Sequence, residues 1–225
     1  SFIDLLQDIS NTSVNSKQLD ILIKLDFFSE FGDINYLLKQ VECYDKFYGR
    51  KQFTISKLQK EGEDIELIKK YCQKQTEKTL KEFDYIGFLK VMTSSMAYSP
   101  VSITERMDYQ KEYIGYISYI NPNISKRYYY VKDLSVTKSI VNIQLYEIYS
   151  GKTQKVKMWT TQYKKNPFDE GDILYLKSVE KKHKKEPTGE INTKTGKKIY
   201  KDVPDKFEFW LKNFTIKNDA EEELI

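Results

Sequence analysis

Apolar residues recur every three or four positions through the first half of the chain, and alternate with polar ones through much of the second. Leu19, Leu22, Ile23 and Leu25 share helical spacing, with Asn15 or Ser16 placed to cap that segment. The FFSEFG stretch interrupts the pattern, with Gly32 as a C-terminal stop. Asp33 can cap a following helix lined by Ile34, Leu37, Leu38 and Val41. Residues 49–62 are polar, with Gly49 and Gly62 as punctuation, and read as a connector. Helical spacing returns over 63–90 through Ile65, Ile68, Leu80, Phe83 and Ile86. It breaks at 94–100 and resumes as a short helix over 105–117.

From position 126 the pattern changes to tyrosine, valine and isoleucine in short alternating runs. Strands are predicted over 127–137, 139–149, 153–161, 171–181 and 207–217. Ser150-Gly151-Lys152 supplies a hairpin turn, and Asn166-Pro167 and Glu170-Gly171-Asp172 lead into the fourth strand. The segment 182–206 is polar and lysine-rich, contains Pro187, Gly189, Gly196 and Pro204, and is expected to be a mobile loop or an extended hairpin. Five strands with one long connection before the last suggest a small closed barrel of the OB type. The predicted fold class is therefore α+β: an N-terminal all-helical region over 1–50, a helical connector over 51–118 and a five-stranded OB-type barrel over 119–218. A frayed acidic tail is expected over 219–225.

Strand alternation sorts the side chains of the barrel. Val141, Ile143 and Leu145 fall on one side of the second strand; Asn142, Gln144 and Tyr146 fall on the other. In the third, Val156 and Met158 oppose Lys155, Lys157 and Trp159. A face carrying Asn142, Gln144, Tyr146, Lys155, Lys157 and Trp159 joins ammonium groups, which neutralise phosphates, to rings that stack on unpaired bases. The connection before the last strand adds Lys181, Lys182, Lys184, Lys185, Lys194, Lys197 and Lys198. Charge agrees with this reading. Residues 1–112 carry 16 basic and 18 acidic side chains, and residues 113–225 carry 21 and 15. A locally basic second half favours an anionic partner.

Other chemistry lacks material. There is no G-x-x-x-x-G-K-[ST], no G-x-G-x-x-G and no G-x-S-x-G. His183 is the single histidine and lies among lysines, so neither a nucleophile–histidine pair nor a zinc site can be assembled from it and the distant Cys43 and Cys72. The acids Glu61, Glu63 and Asp64, and Asp169, Glu170 and Asp172, lie in connectors and read as turn and cap residues. No catalytic residue, metal or cofactor is expected in this chain. The two lone cysteines suggest a reducing compartment, and with no apolar run long enough to span a bilayer and acids in the opening SFIDLLQDIS, a cytoplasmic location is expected.

The opening stretch SFIDLLQDISNTSVNSKQLDILIKLDFFSEFGDINYLL resembles a segment of the C-family replicative DNA polymerase alpha subunit, through Ser1, Asp4, Leu6, Val14, Asn15, Leu19, Leu22, Ile23, Lys24, Phe28 and Gly32. MDYQKEYIGYI over 107–117 resembles a second family segment, through Lys111, Glu112, Ile114, Gly115 and Ile117. The family follows it with an OB domain. The resemblance implies a helix-hairpin-helix-like region over 1–50 near duplex DNA and a barrel contacting single-stranded template. It further implies catalytic aspartates upstream of Ser1, so that the chain is expected to be a fragment of a longer polymerase and inactive alone. Asp26 stands where the family has glycine. A sliding-clamp peptide is common in the family's connector; here the only candidate is Gln52, Phe53, Ile55 and Leu58. Expected partners are DNA and, through that peptide, a sliding clamp or other replisome proteins, with no membrane. The alternatives are a replisome protein-interaction module and a stand-alone OB protein that binds RNA or single-stranded DNA.

Overall fold

The computed structural model describes residues 1–217, which divide at Val101/Ser102 into two compact units. The tail expected over 219–225 lies outside the described residues.

The first unit contains α1 (Phe2–Ile9), α2 (Ser16–Lys24), a 3₁₀ turn (Ser29–Phe31), α3 (Ile34–Phe47), β1 (Gln52–Thr54), α4 (Ile55–Glu61), α5 (Ile65–Lys70), β2 (Cys72–Gln75), β3 (Thr79–Phe83) and α6 (Tyr85–Ser94). Short polar side chains start these helices by accepting otherwise unpaired backbone N–H groups. Asn15 forms a capping box with Gln18 on α2, and Asp33, Asp64 and Asp84 cap α3, α5 and α6. The buried stripe of α3 is Ile34, Leu37, Gln40, Tyr44 and Phe47; Leu38 and Val41 are only half-buried at its edge. Phe47 packs edge-on against Phe88 at 4.8 Å and lies 6.1 Å from both Phe53 and Phe83.

The expectation of a purely helical connector over 51–118 is corrected here. β1, β3 and β2 form a three-stranded antiparallel sheet in that order, within the segment expected to be a helical connector. Leu80 and Phe83 are three apart and both buried, which imitates a helical face. Glu82 between them has φ 55, and this left-handed residue breaks the strand's alternation so that both side chains turn to the same core.

The second unit contains α7 (Ile103–Ile114), β4 (Tyr128–Val136), β5 (Ile140–Glu147), β6 (Thr153–Trp159), α8 (Thr160–Tyr163), β7 (Ile173–Ile191) and β8 (Lys198–Lys217). The helix expected in the connector, α7, thus belongs to the same unit as the sheet. A Ser102–Glu105 capping box opens α7, and Gly115, with φ 78, ends it.

The five strands close into a barrel in the order β4-β5-β6-β8-β7, with β7 pairing back to β4. Every pair is antiparallel except β6 with β8. Val131, Val141, Ile143, Leu145, Val156, Met158, Leu174, Leu176, Leu211 and Phe214 fill the interior together with Phe168. Alternation therefore assigns the inner faces of β5 and β6 as the sequence pattern predicts. The β5–β6 turn needs its glycine: Gly151 has φ 72, and a Cβ there would meet the Ile120 side chain at 3.0 Å.

A second cluster lies outside the barrel wall. Ile103 and Met107 of α7, with Ile117 and Ile124, pack on Tyr128, Tyr130, Tyr146, Ile148 and Ile173. The segment 182–206 is an extended hairpin. β7 and β8 run for 19 and 20 residues, well past the barrel.

Candidate nucleic-acid interface

The register of β5 on β6 pairs Asn142 with Lys157, Gln144 with Lys155 and Ile140 with Trp159. Because Val141, Ile143, Val156 and Met158 point inward, these partners share the outer face. β4 extends the face on one side, with Asp133 opposite Gln144 and Ser135 opposite Asn142. On the other side β8 contributes Trp210 beside Lys157. Asp133, Gln144 and Lys155 thus form one row across the sheet. Ser135, Asn142, Lys157 and Trp210 form the next.

A groove of about 400 Å³ follows these rows, lined by Asp133, Ser135, Asn142, Gln144, Lys155, Lys157, Phe207, Glu208 and Phe209 among others. Lys155 and Asn142 are exposed along it, while Lys157 is half-buried. The Lys157 ammonium donates to one Glu208 carboxylate oxygen at 2.5 Å, and the Trp210 indole N–H donates to the other at 2.7 Å. Burial opposes ionisation of Glu208, yet Lys157 and the indole together hold its carboxyl below the ordinary glutamate range. Trp210 is 5% exposed and packs against Trp159 with centroids 4.6 Å apart and planes at 38°. Trp159 is 45% exposed, so one ring is fixed from behind while the other keeps surface open to solvent.

The structure brings Asn142, Gln144, Lys155, Lys157 and Trp159 together, as the alternation predicts. Tyr146 does not join them. It is 3% exposed, and its hydroxyl donates to the Tyr119 carbonyl at 2.8 Å. Tyr146 has the expected strand parity, but α7 and the chain through Ile117 and Ile124 cover that end of β5, so its ring is core. Burial accordingly pushes its phenol up.

The lysines of the long connection separate into two groups. Lys181 and Lys182 lie at the root of the hairpin. Lys181 sits 3.8 Å from the centre of the Phe207 ring, and Lys182 lies 5.3 Å from that of Trp210 while pairing with Glu180. Lys184, Lys185, Lys194, Lys197 and Lys198 instead run out along the hairpin, away from the β5–β6 rows. Lys184 pairs with Glu186 and Lys185 with Asp202.

The clamp peptide is also corrected. Phe53 is buried in β1 and Leu58 in α4, at 6% and 1% exposure, leaving only Gln52 and a half-buried Ile55 near the surface. A docking peptide must offer its apolar anchors to a partner, and these two anchors belong to the unit's own core.

Sequence reading missed Asp133, Ser135, Phe207, Glu208 and Trp210. A signal existed for the last two: Glu208 and Trp210 are two apart in a strand and so share a face. Their neighbourhood with Lys157 could not be read, because it depends on the parallel β6–β8 pairing. Among the described residues no group of three His, Cys, Asp or Glu side chains is arranged to hold a metal ion, and no helix is long and apolar enough to cross a membrane. Both cysteines are free, and burial pushes their thiols up. The chain matches no protein family, no curated protein and no solved structure.

Proposed function

We propose that the barrel is an OB domain that holds single-stranded DNA across β5 and β6, in the DNA-binding part of a replicative polymerase of the C family. The observation that carries this reading is the outer face itself, where an exposed tryptophan braced by a second, an exposed lysine and two side-chain amides lie in neighbouring rows. Strand order supports the OB assignment. Five strands close with a parallel pair between the third and the fifth, and the second and third strands of an OB barrel are its ligand-binding strands.

Each group has a role in that reading. Trp159 stacks on a base. Lys155 neutralises phosphate. Asn142, Gln144 and Asp133 exchange hydrogen bonds with base edges, where a carboxylate accepts from an exocyclic amine. Lys157 braces Trp210 through Glu208 and contributes little free charge.

The polymerase assignment is supported in the first unit at Asp26. This residue has φ 63, a left-handed conformation that glycine adopts freely. The Asp26 N–H donates to the Ile23 carbonyl at 2.9 Å, and the Phe27 N–H donates to the Leu22 carbonyl at 3.0 Å. These two bonds make the helix stop that usually carries glycine. The position where this chain departs from the polymerase phrase thus keeps the backbone shape the family's glycine would give.

The test is a titration of an unpaired oligodeoxythymidylate into the protein while tryptophan emission is followed. Both tryptophans of the chain sit in this one pair, so emission reports the face directly. Quenching is expected, with affinity falling steeply from low to moderate salt as counterions are released. Trp159→Ala is expected to weaken binding about 5- to 150-fold, the value of one stacked base at ~1–3 kcal/mol. Emission unchanged by saturating oligomer, or affinity insensitive to salt, would remove the reading. Tighter binding of oligouridylate would move it to the RNA alternative.

A further inference from the structure

Past the Lys182–Glu208 pair, neither β7 nor β8 pairs with any other strand among the described residues. The two continue together to the Ile191–Lys198 pair, a free ribbon of roughly 30 Å at the usual rise per residue. Register shifts fall between His183 and Lys185 and between Pro187 and Ile191, and such bulges increase the right-handed twist of a ribbon. The tip is a defined turn. The Asn192 carboxamide oxygen accepts the N–H groups of Lys194 and Thr195 at 2.9 and 3.1 Å, and Gly196 takes φ 65.

Charge is graded along this ribbon. Near the root, Lys184 and Lys206 approach Glu186, and Lys185 approaches Asp202. Residues 191–201 hold Lys194, Lys197, Lys198 and Lys201 and no acid. Among the described residues none of those four has a carboxylate within ion-pair distance. Ile191 and Tyr200 beside them are 61% and 54% exposed.

We propose that this ribbon enters the major groove of a DNA duplex next to the single strand held on β5 and β6, so that the chain recognises a duplex–single-strand junction. This rests on the single-strand reading of the barrel. A twisted two-stranded ribbon fits a groove about 12 Å wide, and the lysines at its tip and along the outer part of β8 meet the phosphates that border the groove. The deep, narrow major groove of duplex RNA does not admit it. A hairpin that packs on nothing is marginal in water, and a groove supplies the surface and countercharge it lacks.

The experiment compares four probes by fluorescence anisotropy with the whole protein: a single-stranded DNA, a blunt DNA duplex, the same duplex with a single-stranded overhang, and a blunt RNA duplex. The wild type is expected to bind the overhang probe most tightly. Lys194→Gln, Lys197→Gln, Lys198→Gln and Lys201→Gln together alter only exposed side chains. They are expected to lower overhang affinity about tenfold or more and to reduce the salt slope by about one for each phosphate they no longer neutralise, while single-strand affinity stays unchanged. Trp159→Ala should do the reverse, weakening the single strand and sparing the blunt DNA duplex. Unchanged duplex and overhang affinity in the quadruple variant overturns the proposal, as does equal wild-type affinity for RNA and DNA duplexes. Loss of duplex affinity in the quadruple variant, with no effect of Trp159→Ala, supports the ribbon while overturning the single-strand face.

Discussion

Asp26 and Tyr146 illustrate opposite fates of a residue judged by its type and spacing. Asp26 departs from glycine in the resemblance, yet its backbone takes the left-handed conformation that glycine favours. A non-glycine residue there costs on the order of 1 kcal/mol, partly offset for aspartate by local hydrogen bonding. Asp26→Gly is therefore expected to stabilise the protein by about 0.5 kcal/mol, less than the full conformational cost, measured as a shift in urea midpoint at unchanged slope. A lower midpoint would mean that the carboxylate contributes more than the backbone conformation costs. Tyr146 has the right parity for the proposed ligand face, and parity was all that its strand could reveal. What covers it comes from 103–124, a segment more than twenty residues earlier.

At the scale of elements, the least legible object was the pair of β6 and β8. Each strand is readable alone, but residues about fifty positions apart meet only because the two run parallel. Their meeting builds the brace of Lys157, Glu208, Trp210 and Trp159, which has a pH signature. The Glu208 carboxyl is held below its ordinary value of 4.5 in the folded state. A carboxylate lowered on folding contributes stability that is fully present above that value and is lost as pH falls through the folded value. The coupled near-UV dichroism of the two indoles is expected to be constant at neutral pH and to decay on acidification below about 4.5. Glu208→Gln should abolish that decay. A signal that decays near pH 6.5 instead would exclude Glu208 as its source, since no carboxylate lowered by its partners titrates there.

At the scale of the molecule, the chain consists of two compact units, each with its own buried core. The first is built around the phenylalanine cluster of Phe47, Phe53, Phe83 and Phe88, and the second around the barrel interior. Cores of this kind unfold as cooperative units, and a chain with two departs from a single all-or-none transition. Calorimetry is expected to resolve two components, with Asp26→Gly raising only one. A single component with equal calorimetric and van't Hoff enthalpies would show that the units unfold together. The charge difference between the halves follows the same division, since the excess of lysine lies in the barrel unit and its hairpin.

The sequence alone determined a helix start at Asn15 or Ser16 and another at Asp33, the five barrel strands, the inner faces of the second and third, and the placement of lysines in one long connection. These are local quantities: a cap needs a partner two or three residues away, and a strand's faces follow from a repeat of two. The tertiary structure decided the three-stranded sheet of the first unit, the burial of Phe53, Leu58 and Tyr146, and the brace that fixes Trp159. Each depends on which segment covers or pairs with another far along the chain. Chain closure over such distances is selected by the energy of the whole core and leaves no periodic mark on either partner.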